Sequence, residues 1–315
     1  TSTPTTTAVS QVVPQTGTPV FKEGDPAVPI DYNKQMTFDD GQPKKIVAGV
    51  GEYTINSDGS ITFTPDKQYV GTPAAVTVKR VDENGTEVRA SYTPTVTEVT
   101  PRSTNAVSSG LQGQQQSGKP IFTPGDKAVP IDMAQPMTFE DNQTTKKVDK
   151  VGTYVIESDG TITFTPEKQY VGTPAPVTVK RVDTNGTEVT ATYTPTVTRV
   201  TPTSTNAEST GLQGQPQSGK PTFSPGDQQI PIDMSKAMTF ENGTNTLEVA
   251  NEGTYTINSD DTITFKPLKQ FTGKATPVTV KRVDANGTEV TATYTPNVTK
   301  VTPTSTPATS SGSQG

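Results

Sequence analysis

Tyr53-Thr54-Ile55-Asn56-Ser57-Asp58-Gly59-Ser60-Ile61-Thr62-Phe63 decides the fold, because apolar and polar residues alternate on both sides of a turn signal. A two-residue Asp58-Gly59 loop would pair Ile55 with Thr62 and send the apolar residues of the two strands to opposite faces. A three-residue Ser57-Asp58-Gly59 loop pairs Ile55 with Ile61 and Tyr53 with Phe63 on one face. Since a one-residue slip inverts every side chain, only the second register can bury a core. It puts Gly59 in the left-handed position that follows a type I turn.

The same parity test applies downstream at Asp82-Glu83-Asn84-Gly85-Thr86. Pairing Val78 with Ala90 and Val76 with Tyr92 requires the loop Glu83-Asn84-Gly85, again with glycine last. Working outward, no stretch carries a helical period. Short alternating runs bounded by Gly, Pro, Asn and Asp recur instead, and threonine at the outward positions suits a pleated, half-buried surface. The fold class is therefore all-β.

The whole pattern returns at a period of 101 residues without insertion or deletion. Tyr69-Val70-Gly71-Thr72-Pro73 recurs at Tyr170 and, altered, at Phe271; Lys79-Arg80-Val81-Asp82 recurs at Lys180 and Lys281. Such a period suits an array of whole domains, here three tandem β-sandwich modules of immunoglobulin-like size. The patterned stretches predict modules of about 84 residues at 18–101, 119–202 and 220–303. Residues 1–17 read as a Thr-rich leader, 304–315 as a tail, and 102–118 and 203–219 as linkers. These segments of Ser, Gln, Gly and Thr lack apolar periodicity, so they predict mobile connectors and modules that rotate freely. Leu111 and Leu212 argue the other way, since each would order its segment by docking on a module. The structural turn residues expected across the copies are Asp58, Gly59, Asn84, Gly85, Asp159, Gly160, Asn185, Gly186, Asp260, Asp261, Asn286 and Gly287. Asp261 replaces a left-handed glycine and tolerates that conformation at some cost.

Composition excludes much. The 315 residues hold no His, Cys or Trp, which removes Ser-His-Asp and Cys-His nucleophiles, thiolate redox centres and the usual zinc and haem sites. Neither an enzymatic activity nor a cofactor is expected. A net charge of −6 spread along the chain gives no basic footprint for nucleic acid, and no apolar run is long enough for a membrane helix. Acidic pairs such as Asp39-Asp40 and Glu140-Asp141 lack the spacing of a calcium loop, so no metal site is expected. Asn84-Gly85-Thr86, its counterparts and Asn242-Gly243-Thr244 match a glycosylation pattern, but turn chemistry already explains three of the four. Lys79 and Arg80 are adjacent on a strand and point to opposite faces, so they form no patch. A Lys–Asn isopeptide bond lacks a shared arrangement: the first-strand positions are Lys22, Thr123 and Ser224, and the last-strand positions Thr95, Thr196 and Asn297.

Gly118-Lys119-Pro120-Ile121-Phe122-Thr123-Pro124-Gly125-Asp126 and Val129-Pro130-Ile131-Asp132 open the second copy. They are followed by Gly152-Thr153-Tyr154, Thr163-Phe164-Thr165-Pro166, Gly172, the run Thr178 to Thr187, and Tyr193-Thr194-Pro195. Together these resemble the CshA-type fibril repeat of streptococcal and related Gram-positive surface adhesins. The resemblance spans all three modules. It implies an extracellular, cell-wall-anchored fibril in which these repeats are a structural stalk. Ligand binding, for example to a host matrix protein, would belong to an N-terminal adhesive region outside this segment. No LPxTG-like sorting signal appears here, so the segment is expected to come from a longer protein. The expected partners are neighbouring repeats of the same chain, with the chain itself monomeric. A multivalent array of weak binding modules is the alternative.

Overall fold

The computed structural model describes all 315 residues, and its regular structure is entirely β. The first module runs β1 (Ser2–Thr3), β2 (Thr5–Ser10), β3 (Gln15–Gly17), β4 (Val20–Phe21), β5 (Thr37–Phe38), β6 (Lys44–Val47), β7 (Gly51–Ile55), β8 (Ile61–Pro65), β9 (Val76–Val81) and β10 (Glu87–Thr97). One sheet has the order β2-β10-β9-β5 and the other β3-β8-β7-β6, while β1 and β4 form a two-stranded ribbon. The same ten strands recur from Arg102–Thr104 to Glu188–Thr198 and from Thr203–Thr205 to Glu289–Thr299. The third module adds Gly273–Lys274, which pairs with its last strand.

The registers are those that parity selects. Tyr53 faces Phe63 and Ile55 faces Ile61 across β7 and β8, while Val78 faces Ala90 and Val76 faces Tyr92 across β9 and β10. Each alternating strand therefore sends one set of side chains between the sheets. There Tyr53 packs on Phe63 with ring centroids 4.5 Å apart and meets Tyr92 edge-on at 6.2 Å, and both neighbours repeat these contacts. Each sandwich has its own buried cluster, built from equivalent residues.

The segments read as leader and linkers are strands. Residues 1–17 form β1 to β3, and 102–118 form Arg102–Thr104, Ala106–Leu111 and Gln116–Gly118. The segment 203–219 does the same. Ala106–Leu111 runs parallel to the last strand of its own module, from Ala106 opposite Tyr193 to Leu111 opposite Thr198. The missing apolar alternation has a physical reason. What holds this strand in place is mainly backbone pairing and a buried amide, with Ala106 its one residue in the core cluster. The Gln116 side chain donates to the Thr196 carbonyl at 3.1 Å and accepts from Ser108, whose hydroxyl also meets the Tyr193 hydroxyl at 2.7 Å. Gln15 and Gln217 make the corresponding bonds to the carbonyls of Thr95 and Asn297. Residues 300–315 carry no strand.

Candidate functional site at the module junctions

One end of every module is the hairpin turn between β9 and β10 or its counterparts. Asp82 Oδ1 accepts from the backbone N–H groups of Asn84 (2.9 Å) and Thr86 (2.8 Å), and Gly85 closes the loop at φ +83°. Asp183 and Asp284 bind their own turns identically. The asparagine is thus presented on a turn preorganised by a neighbouring carboxylate. Asn84 of the first module is exposed; Asn185 and Asn286, each facing the preceding module, are buried.

The opposite end is built on a glutamine in the turn after β2. Gln11 donates to the Lys67 carbonyl at 2.9 Å and accepts from the N–H of Val99, the first buried residue beyond β10, at 3.4 Å. Gln112 ties Lys168 to Val200 in the same way, and Gln213 ties Lys269 to Val301. The tie exists with or without a following module. Burial, in contrast, depends on the neighbour: Val99 and Val200 are 4% and 3% exposed, Val301 50%. On the other side, Val129 and Ile230 are buried while Val28 of the first module is partly exposed. Covering roughly half a valine, as at Val301, is worth about 1 kcal/mol, and less on the Val28 side.

Polar contacts cross both junctions. Gln68 donates to the backbone carbonyl of Asn185, and Ser10 donates to Asp126 at 2.9 Å. At the second junction Gln169 donates to the Asn286 carbonyl at 2.5 Å, and Lys168 to the Ala285 carbonyl at 3.3 Å. A further bond is made only there: Asn286 Nδ2 donates to the Gln112 carbonyl at 2.8 Å. It depends on Gly113, whose φ is +76° and where an added Cβ would lie 1.9 Å from Asn286 Oδ1. At the first junction the equivalent residue is Val12, held at φ +62°, and the Asn185 amide nitrogen is buried without a partner. A β-branched residue in the left-handed region is strained, and an orphaned buried donor adds a desolvation cost. The two junctions share the glutamine-to-asparagine-carbonyl bond and differ in the asparagine amide bond, in Ser10–Asp126 at the first and in Lys168–Ala285 at the second.

The turn residues therefore fall into two groups. Asn84, Asn185 and Asn286, with Gly85, Gly186 (φ +87°) and Gly287 (φ +84°), stand at the ends where modules meet. Asp58-Gly59, Asp159-Gly160 and Asp260-Asp261 cap the β7–β8 hairpin and its counterparts, with φ of +83°, +85° and +66° at Gly59, Gly160 and Asp261. Asp58 accepts from both groups of Ser60, which holds its carboxyl below the usual range. The buried exit residues and the bonds that cross each junction argue against the expected free rotation about mobile connectors. The segments between modules are short: Glu98 to Pro101 and Arg199 to Pro202. Gln11, Gln112, Gln68, Gln169, Val129 and Ile230 are junction positions that sequence reasoning missed. One signal was available, because the glutamine recurs as Gln11, Gln112 and Gln213 in a segment whose neighbours change.

The family description "surface adhesin CshA repetitive domain" matches residues 1–96, 98–197 and 199–298. The chain belongs to this family. Its three matched spans begin where the strand arrays begin, before the Ser/Gln-rich strands and not after them. A solved CshA repeat, domain 13 of the fibrillar adhesin from Streptococcus gordonii, is 60% identical over 22% of this chain and 91% of that one, with a TM-score of 0.15. The titin I9–I11 tandem is 12% identical over 95% of this chain and 97% of that one (TM-score 0.30). Mouse cadherin-23 EC22–24 is 12% identical over 95% and 96% (TM-score 0.38). A search of curated proteins gives no match. Membership in a surface adhesin repeat family places these CshA-type modules outside the cell.

Proposed function

We propose that this array is a stalk segment, a spacer that holds an adhesive region of a cell-wall-anchored surface fibril away from the cell. The observation that carries the reading is the junction. Equivalent residues are buried where a neighbouring module of this chain meets them and more exposed on the outer faces of the first and third modules, so each module orients the next. The two contact surfaces lie at opposite ends of the 11-residue last strand. At about 3.3 Å per residue that strand spans about 36 Å, which sets the step per module. Short exit segments, in place of long connectors, make length nearly proportional to copy number.

Deleting one 101-residue copy and measuring both length and binding tests the reading. X-ray scattering should show the maximum dimension shorten by about 36–50 Å, one strand length plus up to the full extent of the exit segment. A pull-down against host matrix proteins should give unchanged binding per molecule. Binding that falls in proportion to copy number would favour the avidity reading instead.

A further inference from the structure

Arg80, Arg181 and Arg282 occupy the same place in the three modules, over the turn between β7 and β8 or its counterparts. One backbone carbonyl orients each guanidinium: Nη1 donates to Lys34 at 3.1 Å, to Gln135 at 3.1 Å and to Lys236 at 2.8 Å. The modules differ in what faces Nη2. In the third, Asp261 stands at the left-handed turn position and its Oδ1 accepts from Arg282 at 2.6 Å. The Arg282 side chain is 5% exposed. In the other two modules that position is Gly59 or Gly160, where an added Cβ would lie 3.2 or 3.5 Å from the guanidinium. Arg80 and Arg181 make no ion pair.

Both unpaired arginines line cavities. Beside Arg80 lies one of about 240 Å³, with Tyr32, Met36, Pro43, Ile55 and Asn56 in its wall and no acidic residue. Its counterpart at Arg181, about 280 Å³, includes Met133, Met137, Ile156 and Glu157, and a second cavity of about 200 Å³, lined by Gly160 and Arg181, also holds Asp159, which pairs with Lys119. Tyr32 and Met133 are both largely exposed beside their arginines, and the Arg80 guanidinium lies 4.9 Å from the Tyr32 ring centroid.

We propose that Arg80 and Arg181 form carboxylate-binding sites for an acidic side chain of a peptide, a position that Asp261 fills internally in the third module. A preoriented guanidinium with a free edge favours a charge-assisted bond to a carboxylate, and the apolar walls accommodate an aliphatic stem. Asp261 shows that a carboxylate reaches this arginine in this fold. Arg80 is the stronger site, because Glu157 puts a like charge in the wall of the second. The inference is independent of the spacer reading, since an array that works by length can also carry side-chain sites.

Titrating N-acetyl-aspartyl amide into the full chain, while following the Nε–H signals of the three arginines by NMR, tests it. Arg80 should shift saturably, Arg181 more weakly, and Arg282 not at all. N-acetyl-asparaginyl amide should act at least about tenfold more weakly, because it loses the charge-assisted bond. N-acetylglycine reports whether a chain-terminal carboxylate is taken as well; binding it more tightly than the aspartyl amide would overturn the side-chain assignment. Gly59→Asp should silence Arg80 alone, and Asp261→Gly should make Arg282 respond. Equal responses at all three arginines, or none at Arg80 while Asp261→Gly leaves Arg282 silent, would refute the proposal.

Discussion

Replacing Val12 with glycine should give the first junction the asparagine amide bond that the second has. The starting point is a β-branched residue at φ +62° beside a buried Asn185 amide nitrogen with no partner. Relieving the left-handed conformation recovers about 1–2 kcal/mol. Letting Asn185 donate to the Gln11 carbonyl, as Asn286 does to Gln112, recovers about 1–3 kcal/mol. Against this stand about 0.5–1 kcal/mol of extra backbone entropy and roughly 1 kcal/mol for the lost half-buried valine side chain. The net is about 2 kcal/mol in favour of the docked junction, roughly a thirtyfold shift in its equilibrium. Urea titration should move the unfolding midpoint of the first two modules upward, and the Asn185 side-chain amide should gain hydrogen-exchange protection. The reverse change, Gly113→Val, should displace Asn286 and weaken the second junction by a similar amount. An unmoved or lowered midpoint for Val12→Gly, with the Asn185 amide still exchanging freely, would refute the reasoning.

Three further outcomes follow. Asn286→Ala should destabilise the second junction by about 1–3 kcal/mol, and Asn84→Ala, where Asn84 is exposed in this chain, should cost only its share of turn stability; urea midpoints read both. Tyr154→Phe should be neutral or stabilising, because its buried hydroxyl has no partner, whereas Tyr255→Phe should cost about 1 kcal/mol through the lost bond to the Thr276 carbonyl; calorimetry separates them. Asp126 is held below the usual carboxyl range, first by the Ala128 N–H and then by the Ser10 hydroxyl across the junction. A carboxyl lowered in the folded state stabilises above its unfolded value, about 3.9, and that contribution disappears as pH falls through the folded value. The first junction should therefore loosen in acid below about pH 4, and Ser10→Ala should raise the Asp126 midpoint in a carboxyl-carbon NMR titration. An unchanged midpoint would remove Ser10 from the account.

The sequence by itself determined what depends on near neighbours and on repetition. The 101-residue period fixed three equivalent units, and the parity of Tyr53, Ile55, Ile61 and Phe63 fixed the register of a hairpin whose strands are joined by three residues. Glycine at 59, 85, 160, 186 and 287 marked left-handed positions because few other residues adopt them without cost. Tertiary structure alone decided the fate of the Ser/Gln-rich segments. Ala106–Leu111 is a strand because Tyr193 to Thr198, more than eighty residues later, offers it a parallel edge, and such pairing leaves no local pattern in a polar segment. It also decided what Asn84, Asn185 and Asn286 do. All three sit on the same turn, yet only the two with a module in front of them are buried, and only the one facing a glycine completes its bond. A turn reads its own residues; a junction depends on the surface that another domain brings to it.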